Sequence, residues 1–275
     1  MENHELLLAE HEFNLSDFAL FLSVMKNPRA YQCALSIILA EPDIELVEVK
    51  VEQVVLNKVG KRAIRLDAWA RSKDQRQFNM EMQNDSQSDD LRKRSRYYQS
   101  MIDTPILKSG KETRYKNLPS TVIIFITQDD IFGKNLAKYT FKECCKEVEN
   151  LELEDGTTKI FLNMTSKDGS QELISLLQYM KDTRIENPNI IVKDSRILEL
   201  DEIVQEVKSS EEWEAVKMNI LEIGIERGIE KGEQRKLMTL VKKKMEKGCT
   251  VEEMADMLEE SVESIRSIIE TIQKQ

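Results

Sequence analysis

The sequence predicts an α/β fold, a mixed central sheet flanked by helices and followed by a helical tail. Three observations carry that expectation. A helix-periodic stretch precedes three alternating, strand-like segments. A basic helical segment then separates these from a short, nearly continuous apolar run. The last sixty residues change character again, to charged helix punctuated by glycine. Helix, three strands, helix, strand is the order of a sheet with helices packed against it.

In "LSDFALFLSVMKNPRAYQCALSIILAE" the apolar residues Phe18, Phe21, Leu22 and Met25 recur at helical spacing, and Asn27-Pro28 breaks the stretch into two helices. Ser16 or Asp17 is expected to cap the first. "IELVEVKVEQVVLNKV", "RAIRLDAWARS" and "RQFNMEMQN" alternate and read as strands. "LRKRSRYYQSMIDTPIL", between Ser88 and Ser109, is helical, and "STVIIFITQDD" suits a strand buried on both faces. "LELEDGTTKIFLNM" predicts a hairpin turning at Asp155-Gly156, and "SQELISLLQYMKDT" a further helix. The expected domains are 1–215 for this α/β part and 216–275 for the tail. In the tail, Gly224, Gly228 and Gly232 share one helical face, suiting a pliable or closely packed linker helix. Thr250 to Glu253 forms a capping box, and a second helix starts near Ser261, which together resemble a helix-turn-helix. Seven acids against two basic residues from Thr250 onward suit a packing or partner-binding tail better than a DNA reader.

Composition narrows the chemistry. The chain of 275 residues is 40% hydrophobic and 33% charged, with no apolar run of the ~20 residues that a membrane helix needs. The N-terminus has no basic head before an apolar stretch, and Cys33, Cys144, Cys145 and Cys249 form no C-x-x-C pair, so a cytoplasmic location is expected. His4 and His11 are the only histidines, which disfavours a Ser-His-Asp triad or a histidine-rich zinc site. No phosphate-loop or dinucleotide glycine motif occurs. The net charge is −10, yet Lys58 to Lys116 holds fifteen basic residues against eight acids. A basic segment in an acidic chain describes either a phosphate-facing surface or a solvated face.

Within that segment Asp67, Glu81 and Gln83 sit where half-buried strands usually carry β-branched or aromatic residues. If the two strands form an antiparallel hairpin centred on Asp74, Asp67 lies across from Glu81, and Arg65 across from Gln83. Alternation then puts Ile64, Leu66 and Ala68 on one face and Arg65, Asp67 and Trp69 on the other. Two carboxylates so close repel unless a proton or a cation intervenes, and Mg²⁺ with one or two carboxylates plus water answers that repulsion. The same pattern describes an amphipathic hairpin with a wet face, its acids answered by Arg65, Arg71 or Arg76. Spacing leaves both readings open.

"DFALFLSVM", "RLDAWA", "MEMQN", "KRSRYYQSMID", "LPSTVIIFIT", "DDIFGKNLAKYTF" and "LEDGTTKIFLN" follow one another between Ser16 and Met164. In that order they resemble the PD-(D/E)XK nuclease superfamily, and more closely its branch of recombination-promoting nucleases and transposases. The resemblance implies a restriction-endonuclease-like core and metal-dependent hydrolysis of DNA phosphodiester bonds, linked to recombination or a mobile element. Asp67 and Glu81 would bind Mg²⁺ or Mn²⁺ together with the main-chain carbonyl of Met82. Gln83 would complete the catalytic set where the wider superfamily carries lysine. Glutamine can orient a water but carries no charge, so activation of the nucleophile would fall on the metal. Asp17 is the nearest candidate for an additional acid from the first helix, although helix capping explains it as well.

Arg92 and Arg96 are four residues apart on the helix after the site strand, and with Tyr97 they are the candidates for DNA contact. Trp69 suits either packing or base stacking. The expected partners are DNA, a second copy of the chain for double-strand breaks, and a protein at the tail. The competing function is a catalytically inactive DNA-binding or protein-interaction protein that keeps the nuclease fold, a reading that glutamine in place of lysine and the acidic tail support.

Overall fold

The computed structural model describes residues 12–56, 62–86, 89–107 and 114–273. Of the basic segment, Lys58, Lys61, Lys108 and Lys111 lie outside them, as do Ser88, Ser109 and both histidines. The chain divides into two compact units, 12–213 and the residues from 214 onward.

The first unit is built on a six-stranded mixed sheet. Helices α1 (Phe18–Met25) and α2 (Pro28–Leu39) come first. Asn27 separates them by accepting a bond from the Arg29 N–H, and Pro28 occupies the first helical position, where a missing N–H costs nothing. Neither Ser16 nor Asp17 caps α1 with its side chain. Asp17 occupies the N-cap position, but its carboxylate accepts from the Asn14 N–H at 2.7 Å instead.

Strands β1 (Leu46–Val55), β2 (Ile64–Ser72) and β3 (Gln77–Gln83) form an antiparallel meander. Helix α3 (Leu91–Asp103) carries the chain over the sheet to β4 (Thr121–Thr127), which pairs parallel to β3. Every residue of β4 is buried, as its continuous apolar run predicts for a strand enclosed on both faces. Strand β6 (Thr157–Asn163) adds parallel to β4, and β5 (Lys138–Phe141) closes that edge antiparallel to β6. The expected hairpin at Asp155-Gly156 is therefore replaced. Gly156 does turn the chain with a positive φ of 82°, but the acidic segment before it only bridges Cys144 through Glu152. The antiparallel partner of β6 comes from the loop "DDIFGKNLAKYTF" earlier in the chain.

Helix α3 packs on one face, where Leu91, Tyr98, Met101 and Ile102 join Ile123, Phe125 and Phe161. On α2, the Tyr31 hydroxyl donates to the Ala68 carbonyl at 3.2 Å. Helices α4 (Gln171–Lys181), capped by Ser170, and α5 (Ser195–Lys208), capped by Asp194, pack beside α2.

Helix α6 (Glu211–Met245) leads into the second unit, where α7 (Val251–Leu258) and α8 (Val262–Gln273) follow. Its backbone is helical through Gly224, Gly228 and Gly232, although the packing of that face lies outside the described residues. The unit's core is Val241, Met254, Ala255 and Ile265. The capping box forms: Glu253 N–H donates to Thr250 Oγ1 at 3.2 Å, and Thr250 N–H to Glu253 Oε2 at 2.8 Å. Among the described residues, no helix is long and apolar enough to cross a membrane.

Candidate active site

Strands β2 and β3 pair through the main chain from Arg71↔Gln77 to Ala68↔Met80. Continuing that register puts Asp67 across from Glu81, and there side chains take over from the ladder. The Asp67 N–H donates to Glu81 Oε1 at 3.0 Å, and the Met82 N–H donates to Asp67 Oδ2 at 3.2 Å. Asn79 Nδ2 adds a bond to Glu81 Oε1 at 2.9 Å. Strict alternation fails at the same point, because Leu66 and Trp69 both join the cluster under α3. The face assignment that period two predicts for β2 is thus corrected: where the pairing opens at Asp67, the pleat no longer controls side-chain direction.

Both acids are buried, Asp67 at 6% exposure and Glu81 at 0%. Burial raises the Asp67 carboxyl to about 6, against the opposing pull of the Met82 N–H and of Arg94. Burial and then the neighbouring Asp67 charge raise Glu81 to about 8. A third acid stands on the other side. Val51↔Ala68 and Gln53↔Leu66 place Glu52 across from Asp67, and Glu52 has a positive φ of 50°. Its charge also raises Asp67, while Arg65 pairs with it at 3.3 Å.

The cation at the site comes from α3. Arg94 Nη2 donates to Glu81 Oε2 at 3.0 Å, and Nη1 donates to Gln83 Oε1 at 2.8 Å. Nε and Nη2 both donate to the Tyr98 hydroxyl, at 2.9 and 2.7 Å. The guanidinium lies 4.9 Å from the Tyr98 ring centre and 5.7 Å from that of Phe125. Arg94 lies in the basic helix between the candidate DNA contacts Arg92 and Arg96 and is not among the site residues expected from the sequence. The signal was helical spacing: Asp90 caps α3, and Leu91, Ser95, Tyr98 and Ile102 then define the inward face beside which Arg94 falls.

Gln83, at the end of β3, accepts from Arg94 and donates through Nε2 to the Asp85 carbonyl at 2.8 Å. Arg92 and Arg96 are exposed on α3, Arg92 with its Nε 3.3 Å from Asp90. Tyr97 is half-buried against the cluster, and its hydroxyl donates to the Arg62 carbonyl at 2.5 Å. Trp69 is buried and donates to Gln77 Oε1 at 3.0 Å, which makes it a packing residue.

The donor set can be tested against a metal. Among the described residues, no group of three or more histidines, cysteines or acids is placed to hold one. The Asp67–Glu81 pair still fits a hard ion that takes one or two carboxylates and keeps its waters, as Mg²⁺ does. Asp67 Oδ1 receives no hydrogen bond from any described residue, and Glu81 Oε2 receives one only from Arg94.

A family model described as PD-(D/E)XK nuclease family transposase matches residues 17–217. The chain belongs to that family. In this PD-(D/E)XK nuclease-family chain the matched span contains all six strands, helices α1 to α5 and both buried acids; α7 and α8 fall beyond it. The six-stranded mixed sheet with flanking helices is consistent with the PD-(D/E)XK fold. No curated protein and no solved structure matched the chain.

Proposed function

We propose that this chain hydrolyses DNA phosphodiester bonds at the Asp67–Glu81 pair, in the service of recombination or a mobile element. One observation carries the reading. Two buried carboxylates stand on neighbouring strands, Glu81 held by the Asp67 N–H and Asp67 by the Met82 N–H, and Asp67 Oδ1 accepts no hydrogen bond from any described residue. Burying two like charges is costly, and an arrangement that enforces it fits a cation site. Family membership supplies the reaction class.

Asp67 and Glu81 would hold Mg²⁺ or Mn²⁺, together with the Met82 carbonyl. The Met82 N–H points at Asp67. In a strand, the N–H and C=O of one residue point to the same side, so the carbonyl also faces β2. The bound ion would lower the pKa of a water and stabilise charge on the phosphate. Gln83 holds the place of the superfamily lysine, and its amide orients a neighbour by hydrogen bonding without adding charge. Arg92 and Arg96 are the exposed donors for backbone phosphates beyond the site, with Tyr97 bracing their helix against Arg62. A second copy of the chain would supply the other strand's cut, and the acidic tail suits a protein partner.

The neutral Gln83 and the Arg94–Glu81 ion pair favour one second reading, a DNA-binding protein that has lost cleavage. A plasmid-nicking assay with Mg²⁺ and Mn²⁺ separates the two, with wild type beside Glu81→Ala and circular dichroism confirming both folds. Nicking by the wild type alone supports the nuclease. No nicking by either, with salt-sensitive DNA binding intact, supports the binder.

A further inference from the structure

Among the described residues, Arg94 is the only cation within ion-pair distance of either buried acid. Its guanidinium is held in two independent ways. One is the bond from Nη2 to Glu81. The other is a set of contacts that do not involve Glu81: both bonds to the Tyr98 hydroxyl, the bond to Gln83, and the rings of Tyr98 and Phe125. Loss of Glu81 as an acceptor would leave the guanidinium in place with a donor unoccupied. The side chain is 22% exposed, so that donor can reach an anion at the rim.

Charge points the same way. Gln83 brings no charge to the end of β3, whereas Arg94 donates directly to its Oε1 and so brings a permanent one there. Arginine presents several donors in a rigid plane and suits phosphate oxygens.

We propose that Arg94 is the phosphate-contacting cation of this site, and that its contact is conditional. Without metal it is tied to Glu81. When Glu81 is taken up by a divalent ion, the Nη2 donor passes to a phosphate oxygen of the DNA. Metal loading and DNA binding are thereby coupled through one side chain, which rests on reading Asp67 and Glu81 as the metal site.

The test measures the affinity of a fluorescently labelled DNA duplex for wild type and Arg94→Met by anisotropy, with and without Ca²⁺. Calorimetric titration of Ca²⁺ without DNA accompanies it. Wild type is expected to bind DNA more tightly with Ca²⁺. Arg94→Met is expected to lose roughly tenfold in affinity with Ca²⁺, the worth of one charge-assisted hydrogen bond, and to match wild type without it. Equal loss in both conditions would make Arg94 an unconditional contact and overturn the proposal, as would no loss in either. Should Arg94→Met not fold, Arg94→Lys makes the same test, since it keeps the charge but loses the planar fork. Wild type that takes up no Ca²⁺ would overturn the metal-site reading itself. Wild type that takes up Ca²⁺, with no conditional loss in the variant, would overturn only the role of Arg94.

Discussion

The backbone N–H of Asp67 donates to the side-chain carboxylate of Glu81 over 3.0 Å, one residue past Ala68↔Met80, the last main-chain pair of β2 and β3. A side-chain carboxylate is the acceptor for this strand N–H. This bond holds the buried Glu81 carboxylate against β2, within reach of the Asp67 charge.

Asp67→Asn is expected to separate stability from activity. The amide oxygen can still accept the Met82 N–H, while the repulsion with Glu81 disappears. We expect stability to rise by about 1 kcal/mol in urea denaturation and metal-dependent nicking to be lost. A destabilised variant would mean that the carboxylates do not oppose each other in the folded protein.

Stability should also depend on pH with a definite sign. Both carboxyls are raised on folding, Asp67 from 3.8 to about 6 and Glu81 from 4.5 to about 8. The folded state therefore binds more protons than the unfolded state across that range. The stabilisation is fully present below about pH 4 and is lost as pH rises through 6 and then 8. Denaturation midpoints across this window should fall for wild type and fall less for Glu81→Gln. A saturating divalent ion should flatten the wild-type slope.

Removing Arg94 leaves Glu81 buried without its cation. Breaking such a pair from one side costs roughly 3 kcal/mol, and Arg94→Met should lower stability by about that amount at pH 8. The loss should shrink when Glu81→Gln is already present, because the charge it answered is gone. A double-mutant cycle by urea denaturation measures that coupling.

Gly156 turns the chain into β6 with a positive φ of 82°, and a Cβ there would come within 3.1 Å of Ser120 Oγ. Gly156→Ala is expected to destabilise the unit by about 1–2 kcal/mol through both strain and crowding. A thermal melt reads this, and Mg²⁺-dependent nicking below the transition should persist.

On α3, Arg92→Ala and Arg96→Ala remove exposed charges without disturbing the buried face. Each should weaken binding across DNA sequences alike and reduce the salt slope by about one. A change in the nicking rate at saturating DNA would instead place that arginine at the reacting phosphate.

Much of the fold was legible from residue order. Alternation in β1 to β3 and the enclosed apolar run of β4 are local signals, and the Asp67–Glu81 opposition followed from a turn centred on Asp74 with a period of two. The hairpin expected before β6 was not legible. Asp155-Gly156 does make a turn, but which strand fills the edge beside β6 is a competition between distant segments, and β5 wins it.

The sequence by itself determined the family, the sheet's main elements and the two acids that face each other across β2 and β3. Only the tertiary structure decided that side chains break the ladder at Asp67, that Glu52 stands on its other flank, and that Arg94 rather than Arg65, Arg71 or Arg76 answers Glu81. The reason is physical. Strand alternation and helix period are set by the local backbone, whereas the partner of a buried charge is set by which helix face packs over which strand.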